Sequence, residues 1–301
     1  VQYNAITGAG IVQGAVAGDG DFDWDGITLE AGVGDTFTIN SAGIVVDATS
    51  SDVSIGQTEV ATTESDGSTV ARYEATTGAG AIDIYVTGLG TDAGITVTDA
   101  GAGNSADIRR IGLDGVAGSL ATVTVEGALE TLGGAANRNG GDLVNLGDVT
   151  LAGGATTITL SGDLVGDLTS SVAIGTLTIG GDLGDDAGDV ASATTFTDVN
   201  VGGNVVGTLR ATTGDLPDVT VGGDIAGTIE SVAGSLGDIA STAGSISGTI
   251  RAAGDIRSVT ADDVLAATVI EALADDIGSV TTDTGDLGKT ITASNEIGQV
   301  T

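Results

Sequence analysis

An acidic stretch near the start of the chain, DGDFDWDG at residues 19–26, carries residue types that bind hard cations. Its aspartates alternate with other residues and stand at Asp19, Asp21, Asp23 and Asp25. Ca²⁺ takes about six to eight oxygen ligands, and carboxylates two residues apart before a glycine form a loop that wraps such an ion. With Glu30 as a fifth carboxylate, the pattern predicts a calcium site in this segment.

The same segment departs from an EF-hand. That loop needs a bidentate Glu at its last ligand position, which here is Gly32, and Glu30 comes two residues early. The calcium loop would therefore be a shorter one. The alternative is an edge strand with its carboxylates in water and with Phe22 and Trp24 facing a core. Both interpretations stay open at the level of the sequence.

The composition limits the partners of such a chain. Its 301 residues contain 42 acids and 8 bases, for a formal net charge of −34. A surface of this sign excludes nucleic acid and anionic membranes as partners and attracts cations. The Asp-rich, Lys-poor composition resembles that of proteins from salt-loving organisms. Dissolved salt and bound Ca²⁺ are the two open ways to offset the charge.

The residue types also limit location and chemistry. The chain has no Cys and no His, which removes disulfides, thiolate chemistry and the commonest general base. No uninterrupted apolar stretch is long enough to cross a membrane. The first residue is Val1 rather than Met, which we interpret as a secreted protein without its signal or as a fragment. An apolar content of 41% argues against disorder.

The second half of the chain repeats itself. Apolar anchors recur at intervals of 20, 20, 20, 21 and 20 residues, at Phe196, Leu216, Leu236, Ile256, Ile277 and Ile297. Looser copies cover residues 155–168 and 174–185. A fixed period near 20, with strand-sized apolar pieces between Gly and Asp, is typical of a solenoid. The pattern predicts a β-helix (β-solenoid) over residues 155–301, with coils of about 20 residues and stacked apolar side chains inside.

Stacked coils place repeated polar residues in columns. One predicted column is Asp198, Asp218, Asp238, Ser258 and Ser279; a second is Asp163, Asp182, Asn204, Asp224, Ser245, Asp263 and Asp286; a third alternates as Arg210, Glu230, Arg251 and Glu271; a fourth is Thr208, Thr228, Thr249, Thr268 and Thr290. The aspartates should repel unless salt or Ca²⁺ intervenes. The Arg and Glu residues should form ion pairs between coils, and the threonines a hydroxyl ladder. The GG pairs before Asp182, Asn204 and Asp224 are predicted to adopt positive φ.

The first hundred residues lack this period and contain short alternating runs, such as DTFTIN and AIDIYVTG. We predict an all-β chain: a β-sandwich-like domain at 1–107, irregular first coils or a join at 108–154 and the solenoid repeats at 155–301. The stretches DFDWDGITLEAGVGDTFTI, GAGAIDIYVTG and GITVTDA resemble the bacterial pre-peptidase C-terminal domain over about residues 19–100. That resemblance implies a small secreted β-sandwich, in some members calcium-binding. The repeats resemble glycine-rich β-strand repeats of bacterial and archaeal surface proteins, which implies a surface location.

Enzyme chemistry finds little support in the sequence. Paired acids such as Asp185/Asp186 and Asp275/Asp276 fall at predicted coil corners, with few aromatic residues to stack a sugar. Residues 1–18 carry no charge, and the pattern stops inside a coil at residue 301. We therefore expect a secreted structural protein whose partners are copies of itself, in a surface layer or filament. The alternatives are an adhesin or fibre-stalk binding module and a polysaccharide-active β-helix.

Overall fold

The computed structural model describes residues 110–113, 117–120, 122–125, 127–137, 140–265, 267–283 and 290–301 in full, and elsewhere the backbone of the strands alone. The chain divides into two compact units, Val1–Ala155 and Thr156–Thr301. Both are built from β-strands, as the composition predicts. The domain boundaries expected at 107/108 and 154/155 stay a prediction.

The strands of the first unit are β1 (Ile11–Gln13), β2 (Gly26–Glu30), β3 (Asp35–Asn40), β4 (Ile44–Ala48), β5 (Ile55–Thr63), β6 (Thr69–Ala75), β7 (Ile82–Val86), β8 (Gly94–Asp99), β9 (Ile108–Leu113), β10 (Ala117–Val125), β11 (Leu129–Gly133) and β12 (Asp142–Leu151). One turn of 3₁₀ helix covers Gly134–Ala136. Strands predicted from alternation, such as DTFTIN and AIDIYVTG, are present, whereas β5 was missed by the sequence argument.

Two sheets contain these strands, in the orders β1-β4-β7-β9-β11 and β5-β6-β2-β3-β8-β10-β12. The pairs β1/β4, β4/β7, β2/β3, β3/β8 and β5/β6 are antiparallel, as expected for a sandwich-like domain. The pairs β2/β6, β7/β9, β9/β11, β8/β10 and β10/β12 are parallel. From β7 onward successive strands alternate between the two sheets, and every described pair among β7 to β12 is parallel, because such neighbours are joined by a crossover.

The second unit is a β-solenoid. Its strands are β13 (Ala155–Leu160), β14 (Leu168–Ser170), β15 (Ile174–Ile179), β16 (Val190–Ala193), β17 (Phe196–Val201), β18 (Thr208–Ala211), β19 (Val219–Val221), β20 (Thr228–Ser231), β21 (Leu236–Ser241), β22 (Ser245–Ile246), β23 (Thr249–Ala252), β24 (Ile256–Ala261), β25 (Asp263–Val264), β26 (Val269–Ala272), β27 (Ile277–Thr282), β28 (Thr290–Ala293) and β29 (Ile297–Val300).

Each coil contributes one strand to each of two parallel sheets. The anchor sheet has the order β13-β15-β17-β19-β21-β24-β27-β29, and the Arg–Glu sheet has the order β14-β16-β18-β20-β23-β26-β28. A third side is made of single bridges, in which Leu183, Val205 and Ile225 stack in turn, and continues in the short parallel pair β22/β25. The coil is thus three-sided.

The predicted stacking of the anchors is confirmed. Leu216 pairs with Leu236, and Leu236 with Ile256, in parallel register. All three side chains are buried. Alternation along each strand puts one set of side chains inside and the next in solvent, so a 20-residue repeat places each apolar residue over its counterpart. The solenoid interpretation rests on this relationship.

The GG pairs have a different role from the predicted one. None of Gly180, Gly202 and Gly222 has positive φ, so that expectation was wrong. An added Cβ at Gly202 would instead overlap the carbonyl oxygen of Gly180, and one at Gly222 would overlap that of Gly202. Glycine is required here because successive coils approach closely at this corner.

The predicted threonine column contained one wrong residue, Thr268. Thr208, Thr228 and Thr249 stack as predicted, but Thr249 pairs with Val269 rather than with Thr268. Thr268 is 1% exposed, and its hydroxyl donates to the carbonyl oxygen of Ile246. Thr268 comes 19 residues after Thr249, whereas these two strands pair at a spacing of 20, so Val269 takes the column position.

Candidate functional site: an acidic groove across the coils

The second unit carries a groove of about 800 Å³ across several coils. Its walls are the first residues of anchor-sheet strands and the turns before them. Its polar and charged lining residues include Asp198, Asp215, Asp218, Ser235, Asp255, Arg257 and Asp276. The buried anchors Leu216, Leu236 and Ile256 also lie along it, so the repeat itself positions the groove.

One wall is a ladder of side-chain acceptors in the turns. The backbone N–H of Ser235 donates to Asp215 Oδ1 over 2.8 Å, and that of Asp255 donates to Ser235 Oγ over 3.1 Å. The N–H of Asp276 then donates to Asp255 Oδ1 over 3.0 Å. These carboxylates accept hydrogen bonds from the next coil, which fixes their orientation and compensates part of their charge.

Asp198 and Asp218 of the first predicted column also line the groove, and Asp238 continues that column in the next coil. Asp238 donates its N–H to Asp218 Oδ1 over 2.9 Å and pairs in register with Ser258. The Ser258 hydroxyl donates to Asp238 Oδ1 over 2.6 Å. Hydrogen bonds therefore link Asp218 to Asp238 and Asp238 to Ser258, as stacking in one column requires.

Arg257 is the residue that the sequence argument missed. Its Nη2 contacts both Asp218 Oδ1 and, over 2.7 Å, Asp238 Oδ2, while its Nε donates to Asp238 Oδ1 over 2.7 Å. The pairing of Ile256 with Leu236 aligns Arg257 with Gly237 of the coil before. The sequence does contain a signal for this residue, because an Arg stands at a position that is Gly in the neighbouring repeats.

The ion pairs set the charge state of this column. The hydrogen bond from Arg257, followed by that from Ser258, holds the pKa of Asp238 below its usual value. The same hydrogen bond raises the pKa of Arg257. Asp238 is therefore ionised at neutral pH, whereas a general acid there needs a raised pKa.

The second predicted column lies at the GG corner and follows one rule. The N–H of Asp182 donates to Asp163 Oδ1 over 2.8 Å, that of Asp224 to Asn204 Oδ1 over 2.8 Å, and that of Ser245 to Asp224 Oδ1 over 2.7 Å. The second glycine of each GG pair leaves space for this side chain, because a Cβ at Gly181 would overlap Asp163 Oδ1. GGD is thus an inter-coil hydrogen-bonding motif. Asp286 lies outside the described residues.

The alternating column lies on the Arg–Glu sheet. Arg210 pairs in register with Glu230, Glu230 with Arg251, and Arg251 with Glu271. Arg210 Nε contacts Glu230 Oε1, and Arg251 Nε lies 3.0 Å from Glu271 Oε2. The predicted column is confirmed, with ion pairs at Arg210/Glu230 and Arg251/Glu271.

One acidic turn differs from the others. The N–H groups of Asp185 and Asp186 both donate to Asp189 Oδ2, over 2.8 and 3.1 Å. A side-chain hydrogen bond and the negative charge of Asp189 raise the pKa of Asp185. This turn is solvent-exposed.

The predicted calcium ligands Asp19, Asp21, Asp23 and Asp25 lie outside the described residues, and Glu30 is described only through its backbone, as the last residue of β2. The calcium site stays a prediction. Among the residues that the structure does describe, no group of three or more acidic, His or Cys side chains is arranged to hold a metal ion. That part of the chain also has no helix long and apolar enough to cross a membrane.

Comparison with protein-family models, with curated proteins and with solved structures finds no match to this chain.

Proposed function

We propose that this is a secreted structural protein that self-assembles into a surface layer or an extracellular filament, stabilised by salt or calcium. One observation carries the proposal: side chains of the polar columns form hydrogen bonds and ion pairs between successive coils of the solenoid. Asp163, Asp215 and Asp224 accept backbone N–H groups of the next coil, and Arg257 bridges two carboxylates. Side chains used in this way hold a stack together.

The charge supports an environment rich in cations. A formal charge of −34 disfavours close approach of copies unless counterions screen it. Stacked parallel coils repeat about every 4.8 Å, and each coil is stabilised by neighbours on both sides. A solenoid of this kind is therefore suited to an extended structural element.

Electron microscopy of the purified protein tests the proposal. Samples concentrated in molar NaCl or in millimolar CaCl₂ should form ordered sheets or filaments, and dialysis into low salt should dissolve them. Monodisperse particles under every condition would contradict self-assembly.

A second candidate is a stalk module that binds a ligand, and the groove beside Arg257 favours it. Its carboxylates would attract amines, metal cations or the hydroxyl groups of a glycan. A polysaccharide-active enzyme would use the same groove. Release of reducing ends from acidic polysaccharides would support the enzyme, and saturable binding without turnover would support the stalk module.

A further inference from the structure

The outer surface of the Arg–Glu sheet differs in charge from the molecule as a whole. Two columns lie on the outer side of its strands, and in the described strands their charged members are the partly exposed Arg210, Arg251 and Glu271 and the mostly buried Glu230. The other column contains Thr208, Thr228, Thr249, Val269 and Thr290. The formal charge of this face is zero, on a chain whose formal charge is −34.

A flat column of Thr and Val beside a neutral charged column is an unusual surface for so acidic a chain. At the next corner the side chains of Val232 and Leu273 are each 52% exposed. The charge that opposes association elsewhere is thus absent from this face, and apolar area is added at its edge.

The order of charges along this column matches opposite charges when a second copy of the column runs in the opposite direction. Along the stack the column runs Arg, Glu, Arg, Glu. Consider a second copy related by a two-fold axis that lies in the interface and is perpendicular to the stack. This axis reverses the order of the charges and places the Arg–Glu column of the second copy directly opposite that of the first. Arg210 then faces Glu271 of the second copy, and Arg251 lies over the column position of the mostly buried Glu230 of that copy, so that no two like charges face each other.

The two arginines and Glu271 remain accessible enough to make these contacts. The pairs within one chain leave the Arg210 and Arg251 side chains 41% and 46% exposed and Glu271 29% exposed, whereas Glu230 is only 12% exposed. A guanidinium has five N–H donors, so one carboxylate partner does not exhaust it.

We propose that the outer face of the Arg–Glu sheet is a contact surface for a second copy of this chain, which packs against it in antiparallel orientation. This deepens the proposed function and rests on it. With this axis six of the seven strands face each other, and at about four residues a strand they cover roughly 380 Å² per copy, from a spacing of about 4.8 Å and a rise of about 3.3 Å. An interface of that size is weak, so repetition within an assembly is needed to make it stable.

A matched pair of substitutions tests the surface. Thr249→Asp adds a charge to the centre of the face, and Thr220→Asp adds the same charge to strand β19 of the anchor sheet. Sedimentation equilibrium in about 1 M NaCl, with circular dichroism to confirm folding, should show at least tenfold weaker association for Thr249→Asp and little change for Thr220→Asp. Equal effects of the two variants, or a monomeric wild type at millimolar concentration, would overturn the proposal.

The orientation has its own test, because the chain has no Cys and engineered thiols are unique. In the antiparallel arrangement Thr208 lies opposite Val269 of the second copy. A mixture of Thr208→Cys and Val269→Cys should cross-link with a short bis-maleimide. Thr208→Cys alone should not, since its two thiols would be about three coils, or about 14 Å, apart along the stack. Efficient cross-linking of Thr208→Cys alone would overturn the antiparallel arrangement.

Microscopy of the same variants separates this proposal from the proposed function. Polymers that persist in Thr249→Asp would overturn the contact surface and leave the structural function standing. A wild type that pairs in solution but never polymerises would contradict the structural function and leave the contact surface standing.

Discussion

The guanidinium of Arg257 contacts the carboxylate of Asp218 two coils away. It reaches Asp238, in the coil between, with the same nitrogen. One cation therefore connects three successive coils along the groove. Because Asp218 and Asp238 stack directly, their mutual repulsion would remain if the cation were removed.

We expect Arg257→Met to lower the melting temperature at low ionic strength. The decrease should shrink in 1 M NaCl, since salt screens the uncovered carboxylates. Adding Asp218→Asn should restore part of the loss, because it removes one of the repelling charges. Thermal melts of the two single variants and of the double variant form a cycle, and strictly additive effects would show that the two residues are not coupled.

A Cβ at Gly222 should destabilise the solenoid by about 1–3 kcal/mol, because it overlaps the backbone of Gly202 and forces the coils apart. Gly214→Ala is the matched control. Its Cβ would meet only the Thr195 side chain, at 3.3 Å, and its cost should be smaller. Urea unfolding of both variants measures the difference. Equal midpoints would contradict the close-approach explanation of the GG pairs.

The acceptor at the GGD corner can be tested at Asp224. Asp224→Ala removes the partner of the Ser245 N–H and should cost about 0.5–1.5 kcal/mol. Asp224→Asn keeps an oxygen at the same place, as Asn204 does one coil earlier, and should be close to neutral. If both variants lost the same stability in urea, the charge rather than the hydrogen bond would be the stabilising feature.

Two carboxylates should respond to pH with opposite signs. The pKa of Asp238 is lowered in the folded state, so its contribution is present above the usual value of 3.8 and is lost as the pH falls through the folded value. The pKa of Asp185 is raised, so its contribution is present below 3.8 and is lost as the pH rises through the folded value.

Melting curves between about pH 2 and pH 7 would measure both effects. Relative to the wild type, Asp238→Asn should be destabilised near neutrality and equal to it in acid. Asp185→Asn should be more stable than the wild type near neutrality, since it removes a charge held beside Asp189. The same sign for both variants would contradict these assignments.

Calcium should raise the melting temperature beyond the effect of NaCl at equal ionic strength, if the acidic segment binds it. A ligand at 100 times its Kd stabilises by about 2.7 kcal/mol. The triple variant Asp21→Asn, Asp23→Asn and Asp25→Asn should lose the calcium-specific shift and keep the NaCl effect. Melting curves that chelation leaves unchanged would remove the calcium site.

The sequence was sufficient for the interior of the solenoid. Anchors 20 residues apart had to stack once they alternated with polar residues, because a strand exposes every second side chain to one face. The stacking of Leu216 on Leu236, the column of Asp218 and Asp238, and the Arg–Glu column all follow from that period.

Only the tertiary structure decided which hydrogen bonds and ion pairs each polar column forms. Stacked aspartates suggested repulsion, but the direction of the backbone N–H groups makes Asp163 and Asp224 acceptors from the next coil. The bridging role of Arg257, the close approach at Gly202 and the displacement of Thr268 likewise depend on how coils lie against each other. A repeat fixes which side chains point inward. The distances and hydrogen-bond directions between coils arise only when the coils are stacked.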